Sequence, residues 1–599
     1  MEWNQLLCME RQQKKASMES DYTRASSLAH SAILSEYDED YLSIISSQAF
    51  RRLQDKTQVF PLDKSDFVRT RLTHSMEVST IASDLARMIY QGARSKIRGD
   101  APKNAGVGRR LSTIVACAGL LHDTGNPPFG HYGEEVLRDW FRRKFHDETF
   151  CFRGRPIGKL LSDVDPRMTA DFENFEGNAQ GLRILSKAGL RQGSHDVNLT
   201  FAVMNTLIKY PNPSTDFEHD SPDVKRHKMG YYYAEREIME RICAATGTKV
   251  NGQYVRHPLV YIMEAADDIA YATADLADSV KKGRFTVTEF IDFYERESNV
   301  VVDREMRAFA DAHKDDDALY DKICRYIEIQ LLMRAKASVE YAYRDQAELR
   351  RLDAERKALF ETPEEQEALR ELEARKNAAK SARNRLNALR KSIAFARKAE
   401  EDEQSRGGSV LRRSLSHSDT PETEFAIFEN WLEDMRLWLM NGAVDTFLQN
   451  YDAIMAGEFL GELCGGDEIG EALRIMKKAM VVHVYDAQEL IALELSAKRI
   501  MESLLDDFIR AAMYADEPDE AEHMTSIDDR FVHMIPDNFK MDYLGAKKKI
   551  EARVESGKQT RDAADAEELY LRFLMVTDFI SGMTDSFARN LYRVTNGME

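Results

Sequence analysis

The chain has 599 residues, with 83 Lys and Arg against 102 Asp and Glu, a net charge of −19, and 43% apolar and 9% aromatic residues. That much apolar mass can bury a large core and excludes wholesale disorder. The acid excess argues against a surface that binds nucleic acid throughout, since neutralising phosphates needs surplus Lys and Arg, but it leaves room for one basic patch.

At about 150 residues per domain, length alone suggests roughly four domains or fewer large ones. No stretch reaches the ~18 apolar residues of a spanning helix, so no membrane segment is expected. The opening MEWNQLLCMERQQKK lacks the apolar core of a secretory leader. The six cysteines (Cys8, Cys117, Cys151, Cys243, Cys324, Cys464) are scattered without a CxxC pair, which points to a reducing cytoplasm rather than a disulfide framework. Only 14 Pro and 30 Gly punctuate the chain, which favours helices over a turn-rich β fold.

Helical periodicity starts in RLTHSMEVSTIASDLARMIY, where Val78, Ile81, Leu85 and Met88 fall on one face. A Gly-punctuated loop is expected at 99–108. LSTIVACAGLLH then repeats the pattern with Leu111, Ile114, Val115, Ala118 and Leu121, and HPLVYIMEAADDIAYATADLADSV repeats it with Leu259, Ile262, Ala266, Ile269, Thr273 and Leu276. Convincing period-2 strands are few, so the expected class is all-α. Residues 344–422 differ in character. Acid-rich 361–373 gives way to 375–398, which holds Lys and Arg with no Asp or Glu, and SRGGSVLRRSLSHSDTPET follows as an expected flexible loop. The pattern favours a protruding solvated helical hairpin whose arms pair their charges; the other reading is a basic arm for single-stranded nucleic acid or another acidic partner. The expected organisation is a core over 1–344, a charged helical insertion over 345–422 and a C-terminal helical region over 423–599 that packs on the core.

His122 and Asp123 close an apolar helix and lead into TGNPPFGH, which presents two groups that are costly to bury at the edge of a cavity. A lone His of this kind is usually a satisfied core residue. Here His74 lies beside the buried stripe of its own helix, and Asp267 interrupts another apolar helix. Two His and two Asp from three helices make a four-ligand set. Mixed imidazole and carboxylate donors suit Mn²⁺, Fe²⁺, Co²⁺ or Zn²⁺, while Mg²⁺ prefers all-oxygen surroundings.

His74, His122-Asp123 and Asp267 reproduce the H…HD…D pattern of the HD-domain phosphohydrolases. FRRLQDKTQVFPL (50–62), RTRLTHSMEV (69–78), HDTGNPPFGHYGE (122–134), FEGNAQG (175–181), MEAADDIAYATADLADSV (263–280) and DFISGMTDSFA (578–588) resemble, in that order, the bacterial deoxyguanosinetriphosphate triphosphohydrolases, or dGTPases. The resemblance spans about 1–340 and 425–599. It implies an HD-type helical core, a divalent metal (Mn²⁺ or Mg²⁺) on His74, His122, Asp123 and Asp267, and a catalytic pair in His131 and Glu134. Asp267 rather than Asp268 takes the ligand role because the family's substrate-contacting Tyr and Asp follow at +4 and +8, here Tyr271 and Asp275, on the same helical face. Gln58 and Val59 match contacts to base and sugar. Arg71, Asn178, Lys209, Tyr210 and Lys228 match further nucleotide contacts, and the cations among them would offset a triphosphate's charge. The implied reaction is metal-dependent hydrolysis of dGTP, or of other dNTPs, to deoxynucleoside and inorganic triphosphate. The implied assembly is a homo-oligomer, often a hexamer. An HD-type nucleotidase or phosphodiesterase on another nucleotide, and a nucleotide-sensing protein that binds single-stranded DNA, are the other readings.

Overall fold

The structure, a computed structural model, describes residues 1–13, 35–62, 65–100, 106–188, 197–338, 346–379, 381–405, 422–485, 487–515 and 524–598. The sparse Gly and Pro have the expected consequence: the described chain is predominantly α-helical. Its sheets are two small antiparallel hairpins, β1 (Cys151–Phe152) with β2 (Arg155–Pro156) and β3 (Lys249–Val250) with β4 (Gln253–Tyr254). Each turns on a residue followed by glycine, both at positive φ: Arg153-Gly154 and Asn251-Gly252. That left-handed pair is the turn whose twist matches flanking strands. Among the described residues no helix is long and apolar enough to cross a membrane. All six cysteines are free thiols.

The expected loop at 99–108 is shorter than its composition suggests. Helix runs through Arg94–Asp100 and resumes at Val107, and residues 101–105 lie outside the described residues. Most of the loop expected after Ser405 (406–421) also lies outside them.

The chain divides into two compact units, 1–275 with 440–463 and 485–599, and 276–439 with 464–484. The first holds the HD pattern. Its site helices are α1 (Arg71–Gly92), α2 (Val107–Leu121), α3 (Gly130–Phe145), α4 (Gly177–Ala188) and the start of α5 (Pro258–Lys281). A capping box between Thr70 and Thr73 fixes the start of α1 one turn before His74. α1 and α2 pack closely because Gly119 has no side chain: a Cβ there would stand 2.8 Å from the Ser79 Cα. That approach brings the His74 and His122 rings to 5.4 Å between centroids. The same unit holds an aromatic core in which Phe141 stacks on Phe172 at 4.5 Å, joined by Phe145 and Phe573.

The second unit contains α6 (Val287–Ala312), α7 (Pro363–Ala379), α8 (Ser381–Ser405) and the first part of α9 (Glu422–Gln449). Val302, Met306 and Phe309 of α6 share a buried cluster with Ile323, Tyr326, Phe360 and Leu372. Both charged helices, α7 and α8, pack on α6. Arg383 and Arg390 reach Glu295 of α6, the former at 2.9 Å, and Arg397 holds Glu424 of α9 at 2.6 Å. These three basic side chains, spaced seven apart on one helical stripe, find acids outside their own helix, whereas Arg375 pairs along α7 with Glu371.

Candidate active site

The four hard-to-bury groups converge. Candidate ligand atoms of His74, His122 and Asp123 all lie within 4.8 Å of one another. The Asp267 Oδ1 stands 3.1 Å from His74 Nε2 and 3.4 Å from His122 Nε2, so the first aspartate of the Asp267-Asp268 pair is the one that meets both rings.

The chemistry of the donors fits a divalent ion. His122 Nδ1 lies 2.8 Å from the Gly119 carbonyl, which can only accept, so Nδ1 carries the hydrogen and Nε2 keeps its lone pair. That Nε2 is buried with no hydrogen-bond partner, as is His74 Nδ1. An orphaned buried imidazole nitrogen beside two carboxylates is costly in a dry protein and useful as a ligand.

Charge around the cluster is balanced by cations. Arg71 Nη1 donates to Asp123 Oδ2 at 2.6 Å, Asn126 Nδ2 donates to Asp123 Oδ1 at 2.5 Å, and Lys209 Nζ donates to Asp267 Oδ2 at 2.9 Å. Burial pushes Asp123 and Asp267 toward protonation, but Arg71 on one and Lys209 on the other outweigh it and hold both well below the usual carboxylate range. Burial alone would lower His122, yet Asp123 and Asp267 raise it above an ordinary imidazole.

Beside the cluster, His131 and Glu134 form a pair set by helical geometry. They sit at i and i+3 in the first turn of α3, with His131 Nδ1 and Glu134 Oε2 3.0 Å apart. His131 is 80% exposed and Glu134 only 3%. The imidazole therefore presents Nε2 outward from a buried carboxylate. The hydrogen bond with Glu134 raises the His131 pKa, and the same bond offsets burial to lower that of Glu134. Glu134 uses its other oxygen to accept the Gly177 N–H at 2.9 Å, at the start of α4. Gly177 has no alternative residue: a Cβ there would meet Asn126 Oδ1 at 2.1 Å and Glu134 Oε1 at 2.6 Å.

Asn178 follows Gly177 in the first turn of α4. Lys228 donates to Glu176 at 3.0 Å, so this cation, like Lys209, already faces a carboxylate. Tyr210 adjoins Lys209, and Arg256 holds their loop by donating to the Lys209 carbonyl at 2.7 Å with its guanidinium near the Tyr210 ring. Tyr271 and Asp275 continue the Asp267 face of α5, and Asp275 is fully buried. Val59 is buried, and Gln58 Oε1 is buried with no hydrogen-bond partner. Neither Gln58 nor Val59 bonds to the cluster.

The structure adds residues that sequence reasoning left without a role. Tyr485 shares a hydrogen bond with the Tyr271 hydroxyl, and both phenols are pushed above their ordinary pKa by burial, with Asp275 adding to it. No local pattern marks Tyr485, which is 214 positions from its partner. Asn126 sits inside the HDTGNPP motif, whose spacing was its only signal. Arg138 and Glu176 support the Glu134 side of the site, 3.3 Å apart.

Comparison with known proteins gives the family. The HD domain model matches residues 71–175. A deoxyguanosinetriphosphate triphosphohydrolase-like protein of Listeria innocua is 34% identical over 600 aligned positions that cover all of both chains. A protein of the same description from Synechocystis is 39% identical over 292 residues, 47% of this chain and 61% of its own length. The deoxyguanosinetriphosphate triphosphohydrolase of Salmonella schwarzengrund is 38% identical over 273 residues, 43% of this chain and 52% of its own. Matched from end to end, and carrying its HD residues in one cluster, the chain belongs to the HD-domain family of deoxyguanosinetriphosphate triphosphohydrolase-like proteins.

Proposed function

We propose that the chain hydrolyses deoxynucleoside triphosphates at the α-phosphorus, with dGTP the leading substrate, and releases the deoxynucleoside and intact inorganic triphosphate. Water adds to the α-phosphorus, the bond from phosphorus to the 5′-oxygen breaks, and the departing 5′-oxygen acquires a proton. The observation that carries this reading is the convergence of His74, His122 and Asp123 with Asp267 against both rings, flanked by Arg71 and Lys209, and an exposed His131 backed by buried Glu134. A divalent ion on the four ligands, Mn²⁺ or Mg²⁺ first and Fe²⁺, Co²⁺ or Zn²⁺ as other candidates, supplies Lewis-acid polarisation of a phosphate oxygen.

The chain's own residues do the rest. His131 moves a proton at Nε2, since Nδ1 is held by Glu134. Arg71, Lys209 and Lys228 offset the charge of the phosphates, which is most of what phosphoryl transfer asks of a protein. Gln58, Val59, Asn178 and Tyr210 contact the nucleotide. Tyr271 and Asp275 take the sugar, and a phenol packed under it leaves a 2′-hydroxyl without space or partner, which selects deoxy substrates.

Chromatography of products from each dNTP and from GTP, with Mn²⁺ or Mg²⁺ added in turn, tests the reading. Free triphosphate is the expected product; monophosphate or diphosphate instead would assign the chain to HD-type nucleotidase or phosphodiesterase chemistry. The single-stranded DNA reading of the basic stretch gains no support from Arg383, Arg390 and Arg397, which are engaged by acids. The homo-oligomer implied by the resemblance is read directly by analytical ultracentrifugation.

A further inference from the structure

The C-terminal motif DFISGMTDSFA joins two helices, α10 (Arg561–Ser581) and α11 (Asp585–Thr595). It has no part in the pocket as described, yet one of its residues reaches two loops that frame it. Asp585 opens α11 and is 2% exposed. Its Oδ1 accepts the Phe129 N–H at 2.9 Å. Its Oδ2 accepts the Thr57 N–H at 3.0 Å and the Thr57 hydroxyl as well. Thr57 immediately precedes Gln58 and Val59, and Phe129 stands two residues before His131.

Phe129 needs to be held. It lies at φ 65° and ψ 17°, in the left-handed region that a bulky side chain adopts only where its surroundings fix it. Lys56 completes the junction from the other side. Its buried ammonium donates to the Asn126 carbonyl and, at 2.8 Å, to the Ser581 carbonyl at the end of α10. Ser586 Oγ donates to Asp55 at 3.0 Å, and Arg52 Nη1 donates to the Gly582 carbonyl at 3.2 Å. The segment 52–57 is thus tied to 581–586 at successive points. Asp585 and Lys56 are the two side chains that also reach the turn before His131.

We propose that Asp585 is a positioning residue, a single carboxylate that holds the Gln58–Val59 loop and the His131 turn in fixed register with each other. The proposal rests on the reading of His131 as the proton-transfer group and of Gln58 and Val59 as nucleotide contacts. A carboxylate suits the task because it is acceptor-only on both oxygens, and three donors converge on it. An amide of the same size would turn an NH₂ toward one set of those donors, and because each loop is held in register through the other, losing either anchor loosens both.

The test uses full-length Asp585→Asn, which keeps the volume, with Thr57→Val as a milder variant that removes only the hydroxyl donor. Hydrogen-exchange mass spectrometry without substrate should show peptides over 50–62 and 122–135 exchanging faster together, by several-fold in Asp585→Asn, with the rest of the unit unchanged. In steady-state kinetics Asp585→Asn should lower kcat by roughly 10–100-fold, as removal of a supporting hydrogen bond does, and raise KM several-fold. In a His131→Ala background the kcat cost should shrink to about twofold while the rise in KM persists, because the misplaced group is already gone. A purely structural role would give the same kcat cost in both backgrounds and faster exchange throughout, and that result overturns the proposal. So does faster exchange in only one of the two loops. If Asp585→Asn does not fold, Thr57→Val decides by the same two criteria at smaller amplitude. Should the wild type hydrolyse no dNTP, the functional reading falls, and the exchange comparison still decides whether Asp585 couples the loops.

Discussion

In the unit that holds the site, Arg71 meets Asp123 with side chains 5% and 12% exposed; in the other unit, Arg390 meets Glu295 at 42% and 25%. The residue types and the geometry are alike, but the surroundings are not. A buried ion pair gives up hydration that its mutual attraction barely restores, so it is weak evidence of stabilisation and better evidence that the charge is wanted for chemistry or register. A half-exposed pair costs little and contributes little. The comparison separates charges that a site requires from charges that keep long helices solvated, and it makes unequal demands on substitutions in the two places.

The largest effect belongs to the metal cluster. His122→Ala removes the imidazole whose Nε2 has no other partner, and it should abolish metal retention, from one ion per chain to none by elemental analysis. Activity should fall below what loss of a general acid or base alone produces, about 10²–10⁴. Metal retained at one per chain in that variant would move His122 out of the ligand set.

His131→Ala should lower kcat by about 10²–10⁴ with metal content unchanged, since the ring pairs with Glu134 and is not among the clustered ligand groups. Glu134→Gln sharpens the point through pH. Glu134 raises the His131 pKa above its ordinary ~6.5, so removing the charge lets it fall. The limb of the pH–rate profile set by His131 should move to lower pH. Gln can still accept the Gly177 N–H, which keeps the start of α4 in place. A limb that does not move would detach the pair from the rate.

Arg183→Met tests buried charge with no chemistry attached. Arg183 donates to Asp578 at 2.7 and 2.8 Å and to Glu235 at 2.7 Å, all three side chains buried. Its loss strands two carboxylates, and breaking such a set costs about 3–5 kcal/mol. The midpoint of thermal unfolding should drop sharply, while metal content per folded chain stays constant. An unchanged midpoint would mean that the site unit tolerates unpaired buried charge, and the contrast with the second unit would fail.

How much of this was readable in the sequence follows from the same physics. His74, His122, Asp123 and Asp267 could be singled out because one lies beside an apolar stripe, two close an apolar helix and one interrupts another, each with a group that burial penalises. The all-α class was legible from sparse Gly and Pro and from periodicity. Gly177 could be read only as part of a motif, because its reason is the Asn126 and Glu134 oxygens packed against it. Tyr485 and Asp585 left no local trace of their interactions, since the partners Tyr271 and Thr57 lie hundreds of positions away. In the charged segment, the acid-free run at 375–398 reads as a helix from composition, but nothing in it names Glu295 and Glu424 as the acids it meets.

The smallest effect is expected where charge is densest. Arg383, Arg390 and Arg397 form a stripe on α8; the first two face the partly exposed Glu295, and the half-exposed Arg397 covers the buried Glu424. The two pairs on Glu295 contribute about 0–1 kcal/mol each, less as salt rises, and losing Arg397 strands one buried carboxylate where Arg183→Met strands two. Replacing all three by Ala should therefore shift the unfolding midpoint by less than Arg183→Met alone, and should leave dNTP turnover at the wild-type rate. The same triple variant asks whether the stripe also serves nucleic acid. A basic face that binds single-stranded DNA gives an affinity falling steeply with salt, and each arginine withdrawn from a phosphate would flatten that slope by about 0.7. An unchanged slope, measured by fluorescence anisotropy with a labelled oligonucleotide, leaves α8 as a solvated face whose arginines are satisfied within their own unit. A flattened slope would mean that Glu295 and Glu424 give up their partners to phosphate, at little cost for the exposed Glu295 pairs and at more for the buried Glu424.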